Sequence, residues 1–135
     1  MKTETFTFPA SGGTLLPAAI HLPETAPKLV LQVTHGMTEH FGRYTALAEF
    51  LTENGIAVAG FDLRGHGLNP GDLHCASFGE HGWAAALEDM RCFFLLLRER
   101  FPGVPHVMLG FSLGSFLLRE YLGLHPDGIA GAAIS

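Results

Sequence analysis

Gly110-Phe111-Ser112-Leu113-Gly114 is the stretch of this sequence whose residue types and spacing could do covalent chemistry. It reads G-x-S-x-G, follows the apolar run His106–Leu109 directly and opens the amphipathic segment Leu113–Leu124. A serine at so tight a strand-to-helix bend takes strained backbone angles, and side chains two positions to either side would collide. Glycine at Gly110 and Gly114 removes those side chains. The bend lifts the Ser112 hydroxyl to the carboxyl end of a sheet, where a base can reach it. It also turns the Leu113 amide, at a helix N-terminus, toward a developing oxyanion. The chemistry expected is attack on a carbonyl through a covalent acyl intermediate. In a chain with 17 glycines the pattern could arise by chance; its place between strand and helix is what gives it weight.

A second oxyanion donor is expected at His35-Gly36-Met37, which ends the apolar run KLVLQVT. The Met37 amide is the candidate. A glycine there could equally serve only to turn the chain, but both donors fall at strand carboxyl ends, the side where open α/β sheets bind ligands. His35, His40 and His66 also lie near strand ends and are read as loop organisers. Glu39 and Arg43 read as a structural pair across one turn, and Asp62 as a tie for its own loop. Trp83, Phe93 and Phe94 read as core. His21, His74, His81, His106 and His125 show no partner pattern, and neither a zinc site nor a carboxylate pair is suggested.

These residues need elements to hold them. Residues 3–8 alternate, Ser11-Gly12-Gly13 is a turn signal, and Leu15–Leu22 is a second run, so a β-hairpin is expected. Lys28–Thr34 suits a strand buried on both faces. Tyr44, Leu47, Ala48 and Leu51 make one helical stripe, ended by Asn54-Gly55. Ile56–Phe61 is a further buried strand, and residues 62–78 read as a loop. Trp83, Ala86, Leu87, Met90, Phe94 and Leu97 mark a second helix. Phe116, Leu117, Tyr121 and Leu124 mark one face of a third, and Ile129–Ile134 a last strand. Strands alternating with helices predict a parallel α/β sheet.

Composition bounds the function. The 135 residues suffice for one modest domain. Nearly half are apolar and 16% are charged, which argues against disorder. A formal charge of −5 makes nucleic acid an unexpected partner. Cys75 and Cys92, without metal-ligand spacing, are read as reduced, half-buried thiols, with one disulfide between them as the alternative. The opening Met1-Lys2-Thr3-Glu4 leads into a polar stretch unlike a signal peptide, and apolar runs fall short of a membrane span. The expectation is a soluble cytoplasmic protein with at most transient membrane contact.

Four blocks together carry a family resemblance. His35-Gly36-Met37-Thr38-Glu39-His40-Phe41-Gly42-Arg43-Tyr44 resembles the H-G-x-x-E-H-x-x-R-Y block of the monoacylglycerol lipase and lysophospholipase group of the α/β-hydrolase superfamily. Asp62-Leu63-Arg64-Gly65-His66-Gly67 resembles its D-x-R-G-H-G block, Gly110–Gly114 its nucleophile elbow, and Pro126–Gly131 its approach to the next strand. The resemblance implies that residues 1–135 form the N-terminal part of a single α/β-hydrolase domain. That part would be a mostly parallel sheet with an N-terminal β-hairpin and helices on both faces. It implies a cofactor-free serine hydrolase acting on small-molecule acyl-lipid esters, such as monoacylglycerols or lysophospholipids. Ser112 would be the nucleophile, and Met37 and Leu113 the oxyanion donors. Against the common elbow G-H-S-M-G-G, Phe111 replaces histidine, Leu113 methionine and Ser115 the last glycine. In that group the triad acid and histidine follow later strands, beyond a cap. A complementary C-terminal segment or second chain is therefore expected to supply them. Two alternatives stand beside this reading: a catalytically silent hydrolase domain used for binding or self-association, and an aminopeptidase of the same fold.

Overall fold

Thr3, Thr5 and Thr7 point outward from the first strand while Phe6 and Phe8 turn toward the core, as a period of two requires. This strand, β1 (Lys2–Pro9), pairs antiparallel with β2 (Leu15–Leu22) across a 3-10 turn at Ser11–Gly13. The molecule is described from a computed structural model, which covers residues 1–69 and 77–135. Cys75, His74 and part of the expected 62–78 loop lie outside the described residues. Cys92 is a half-buried free thiol.

The remaining elements are β3 (Leu29–Thr34), α1 (Thr45–Glu53), β4 (Ile56–Phe61), α2 (Gly82–Arg100), β5 (His106–Gly110), α3 (Leu113–Leu124) and β6 (Gly131–Ile134). The six strands lie in the order β1-β2-β4-β3-β5-β6. β4, β3, β5 and β6 run parallel, and β2 joins them antiparallel through β4. This is the α/β-hydrolase arrangement expected, with the hairpin at one edge. α2 and α3 cover one face, packing Met90, Phe93, Leu97, Leu117 and Tyr121 against Phe8, Ile20, Phe61 and Met108. On the other face α1 sets Ala48 beside Leu31, Val33 and Val58.

Register decides where the chemistry sits. β3 and β5 align Thr34 with Gly110, so the chain leaving β3 runs beside the bend that follows β5. The Phe111 amide donates to the Thr34 carbonyl at 3.1 Å across that junction.

Several expectations need correction. Tyr44 does not begin an α-helix: Phe41–Tyr44 form a 3-10 turn that leads into α1. The buried face of α3 is Gly114, Ser115, Leu117, Leu118 and Tyr121, whereas Phe116 and Leu124 are exposed. The helix presses so close to β3 that its small residues must turn inward there. Trp83 is not core. It is partly exposed, and its indole N–H donates to Glu120 of α3 at 2.6 Å. The last strand starts at Gly131, two residues later than its apolar onset at Ile129.

Candidate active site at the carboxyl ends of β3 and β5

Ser112 has φ 51° and ψ −117°, a backbone conformation that costs a non-glycine residue free energy. It caps α3, and its side chain is exposed. Its neighbours enforce that shape by contact. A Cβ added at Gly114 would collide with the backbone carbonyl oxygens of Thr34 and His35. One added at Gly110 would strike the Gly114 carbonyl and sit 2.9 Å from the Ser115 Cα. The Ser112 amide donates to the Ser135 carbonyl at 2.8 Å, and the Ser135 amide returns a bond to Gly110 at 3.0 Å. The bend is thus held between β3 and the residue after β6.

The chain after β3 arrives at the same place. A Cβ at Gly36 would lie 3.3 Å from the Ser112 Cβ and 3.3 Å from the Phe111 ring. The Gly36 amide is already engaged, donating to Glu39 Oε2 at 3.0 Å. The following amide, that of Met37, has no acceptor among the described residues, and neither has that of Leu113. Two amides without an acceptor among the described residues thus adjoin residues that meet at one exposed hydroxyl: Met37 follows Gly36, and Leu113 follows Ser112. Such an arrangement can take up a carbonyl oxygen as negative charge develops on it.

Glu39 does more than pair with Arg43. Its Oε1 lies 3.0 Å from the Arg43 guanidinium, while Oε2 accepts from the Gly36 amide and from the Tyr44 hydroxyl at 3.4 Å. Burial, then the Glu39 carboxylate, pushes the Tyr44 phenol up to about 12. Asp62 likewise ties two loops instead of one. Its carboxylate accepts from the Phe41 amide and from the Leu68 amide, each at 2.8 Å.

The nearby histidines are loop organisers. His35 is fully buried. Its Nε2 accepts from the Leu63 amide at 2.9 Å, which leaves the proton on Nδ1 to donate to the Gly36 carbonyl at 2.8 Å. An Nε2 that accepts a bond belongs to a neutral ring, and burial lowers the pKa in the same sense. His66 Nδ1 lies 2.7 Å from the Arg64 carbonyl. Its ring is 5.3 Å from that of His35. The His40 ring sits against Gly42. With the ring nitrogens of His35 committed to backbone, it is not free to take a proton from Ser112.

Two features escaped the sequence reading. Asp89, fully buried on α2, takes a two-pronged bond from Arg64 at 2.6 and 2.8 Å and the Ser11 amide at 2.9 Å. This clasp joins the hairpin turn, the loop after β4 and α2. Ser115 is the other: its hydroxyl donates to the Ser112 carbonyl at 2.6 Å. Among the described residues no group of three or more His, Cys, Asp or Glu side chains could hold a metal ion. No described helix is long and apolar enough to cross a membrane.

Comparison with known proteins places the chain among α/β hydrolases. The sequence profile of the family described as serine aminopeptidase, S33, matches residues 25–135. A monoacylglycerol lipase of Mycolicibacterium smegmatis is 29% identical over 129 residues, covering 95% of this chain and 44% of that protein. The human monoglyceride lipase is 29% identical over 112 residues, covering 83% of this chain and 36% of its own length. A thermostable carboxyl esterase from Bacillus coagulans, solved in complex with glycerol, superposes with a TM-score of 0.88 at 30% identity. That match covers 98% of this chain and 43% of the esterase. The chain thus spans less than half the length of these relatives.

Proposed function

Because the chain belongs to the serine aminopeptidase S33 family of α/β hydrolases, we propose that it carries the nucleophile and oxyanion hole of a serine esterase. The substrates proposed are carboxylic esters of the monoacylglycerol or lysophospholipid kind. The observation that carries this reading is one exposed, strained serine beside Gly36, with the next amides, those of Met37 and Leu113, lacking an acceptor among the described residues. Ser112 Oγ attacks the ester carbonyl carbon while an imidazole from a C-terminal segment or second chain takes its proton. The carbonyl oxygen becomes an oxyanion held by the two amides. The tetrahedral adduct collapses, the alcohol leaves with the proton from the imidazolium, and the acyl group stays on Ser112. Water, deprotonated by the same imidazole, then attacks the acyl carbon and releases the acid.

A fluorophosphonate ester tests this on the whole protein. The adduct, located by mass spectrometry, is expected on Ser112. Ser112→Ala is expected to lose both the adduct and monoacylglycerol turnover, by a factor of about 10³ or more, with a near-parental melting temperature. Turnover by the alanine variant within a few-fold of the parent would overturn the assignment.

The family's description favours a second reading, an aminopeptidase with the same nucleophile. Hydrolysis of aminoacyl p-nitroanilides in preference to monoacylglycerol would select it.

A further inference from the structure

We propose that Ser115 is a positioning residue for the oxyanion hole, its hydroxyl holding and polarising the peptide unit that presents the Leu113 amide. The inference rests on the esterase reading above and adds a residue to it. The Ser112 carbonyl and the Leu113 N–H belong to one peptide unit, and that unit is trans, as are all peptide bonds among the described residues. The N–H therefore points away from the carbonyl, and whatever fixes the carbonyl oxygen fixes the direction of the amide.

Two donors grip that oxygen: the Ser115 amide at 2.9 Å and the Ser115 hydroxyl at 2.6 Å. The amide bond comes with any helix beginning here. The hydroxyl bond does not. It exists because a serine stands one turn into α3, where the common elbow of this group has glycine. Ser115 is buried, so little water competes for the bond. A hydrogen bond accepted at one end of a peptide makes the other end a stronger donor. The gain falls on the amide expected to meet the oxyanion.

The opposite wall has the same construction. The Gly36 carbonyl, in the peptide unit that presents the Met37 amide, accepts from His35 Nδ1 at 2.8 Å and from the Glu39 amide at 3.3 Å. Each of these two amides, without an acceptor among the described residues, thus belongs to a peptide whose carbonyl is held by one backbone and one side-chain donor. Two unrelated loops sharing this arrangement point to support of the amides, beyond ordinary helix capping.

The test uses the whole protein and the Ser115→Ala variant, with Ser115→Gly as a second hydroxyl-free form should alanine fold poorly. Losing an entire oxyanion donor lowers kcat by about 10²–10³-fold. Here the donor remains and one of two supports goes, so kcat should fall about ten-fold with KM within two-fold. An n-alkylboronic acid, which forms a tetrahedral adduct on serine, should lose affinity by the same factor. The Leu113 amide proton, followed by 15N-edited NMR, should move upfield. An unchanged kcat, or a fall in kcat with boronate affinity and the Leu113 amide shift unchanged, would overturn the proposal. Should the parent protein take no phosphonate on Ser112, the esterase reading fails separately. The amide shift would still report whether Ser115 polarises that peptide.

Discussion

Acidification should weaken this fold through His106, and the size of the effect follows from where the ring lies. His106 opens β5 and is essentially inaccessible to solvent. Gln32 donates through Nε2 to the Met90 carbonyl at 3.3 Å. Its Oε1 is thereby turned toward His106, where it accepts from Nε2–H at 3.0 Å. The Phe94 ring stands edge-on with centroids 4.6 Å apart. A second proton on the imidazole would place a charge in this apolar setting, near the Arg98 guanidinium. Burial first, then Arg98, brings the pKa from 6.5 down to about 4. The unfolded chain therefore binds the extra proton more readily, so stability is complete above about pH 6.5 and falls as pH drops toward 4. Each tenfold difference in proton affinity between the folded and unfolded chain is worth about 1.4 kcal/mol, so the loss between about pH 7 and pH 4.5 is roughly 2 kcal/mol. His21 and His35, whose pKa values burial also lowers, add to the same slope and must be subtracted. His106→Gln keeps a donor for Gln32 and does not titrate. Urea unfolding of both proteins across that range should show the parent losing about 2 kcal/mol more than the variant. Parallel curves, within about 0.5 kcal/mol, would mean that His106 is not held neutral in the core.

Other substitutions probe the geometry around the serine. Gly114→Ala must push α3 away from the Thr34 and His35 carbonyls. It should cost about 1–3 kcal/mol in urea unfolding and reduce phosphonate labelling of Ser112 by at least ten-fold, by an order-of-magnitude reckoning from misplaced reacting groups. Arg64→Met leaves the Asp89 carboxylate buried without its guanidinium; a loss of about 3 kcal/mol is expected. Removing both charges, as Arg64→Met with Asp89→Asn, should recover part of that loss in a double-mutant cycle. No recovery would mean that the clasp does not act as a pair.

The course of the chain was legible because its signals are local. The hairpin followed from alternation and a Ser-Gly-Gly turn, and α3 from its elbow to Leu124, because adjacent residues set both. Packing between distant segments was harder to read. Hydrophobicity assigned Phe116 and Leu124 to the buried face of α3, yet close contact with β3 selects Gly114 and Ser115 instead. Trp83 looked like core because indole is large and apolar, but its one donor found Glu120 on a neighbouring helix. A lone acid in an apolar stripe gave no hint that Arg64, 25 positions earlier, would meet Asp89.

The candidate site divides along the same line. Ser112, Gly110 and Gly114 could be named from the sequence because the bend they make is built from consecutive residues. The approach of Gly36 to Ser112 depends on the alignment of Thr34 with Gly110 across two strands. A slip of one residue in that pairing would exchange the two faces of β5 and shift Gly36 along the serine by about 3.3 Å. The sheet register is thus itself part of the site. Thr34 enforces it from two sides, its carbonyl accepting the Phe111 amide and leaving no room for a side chain at Gly114.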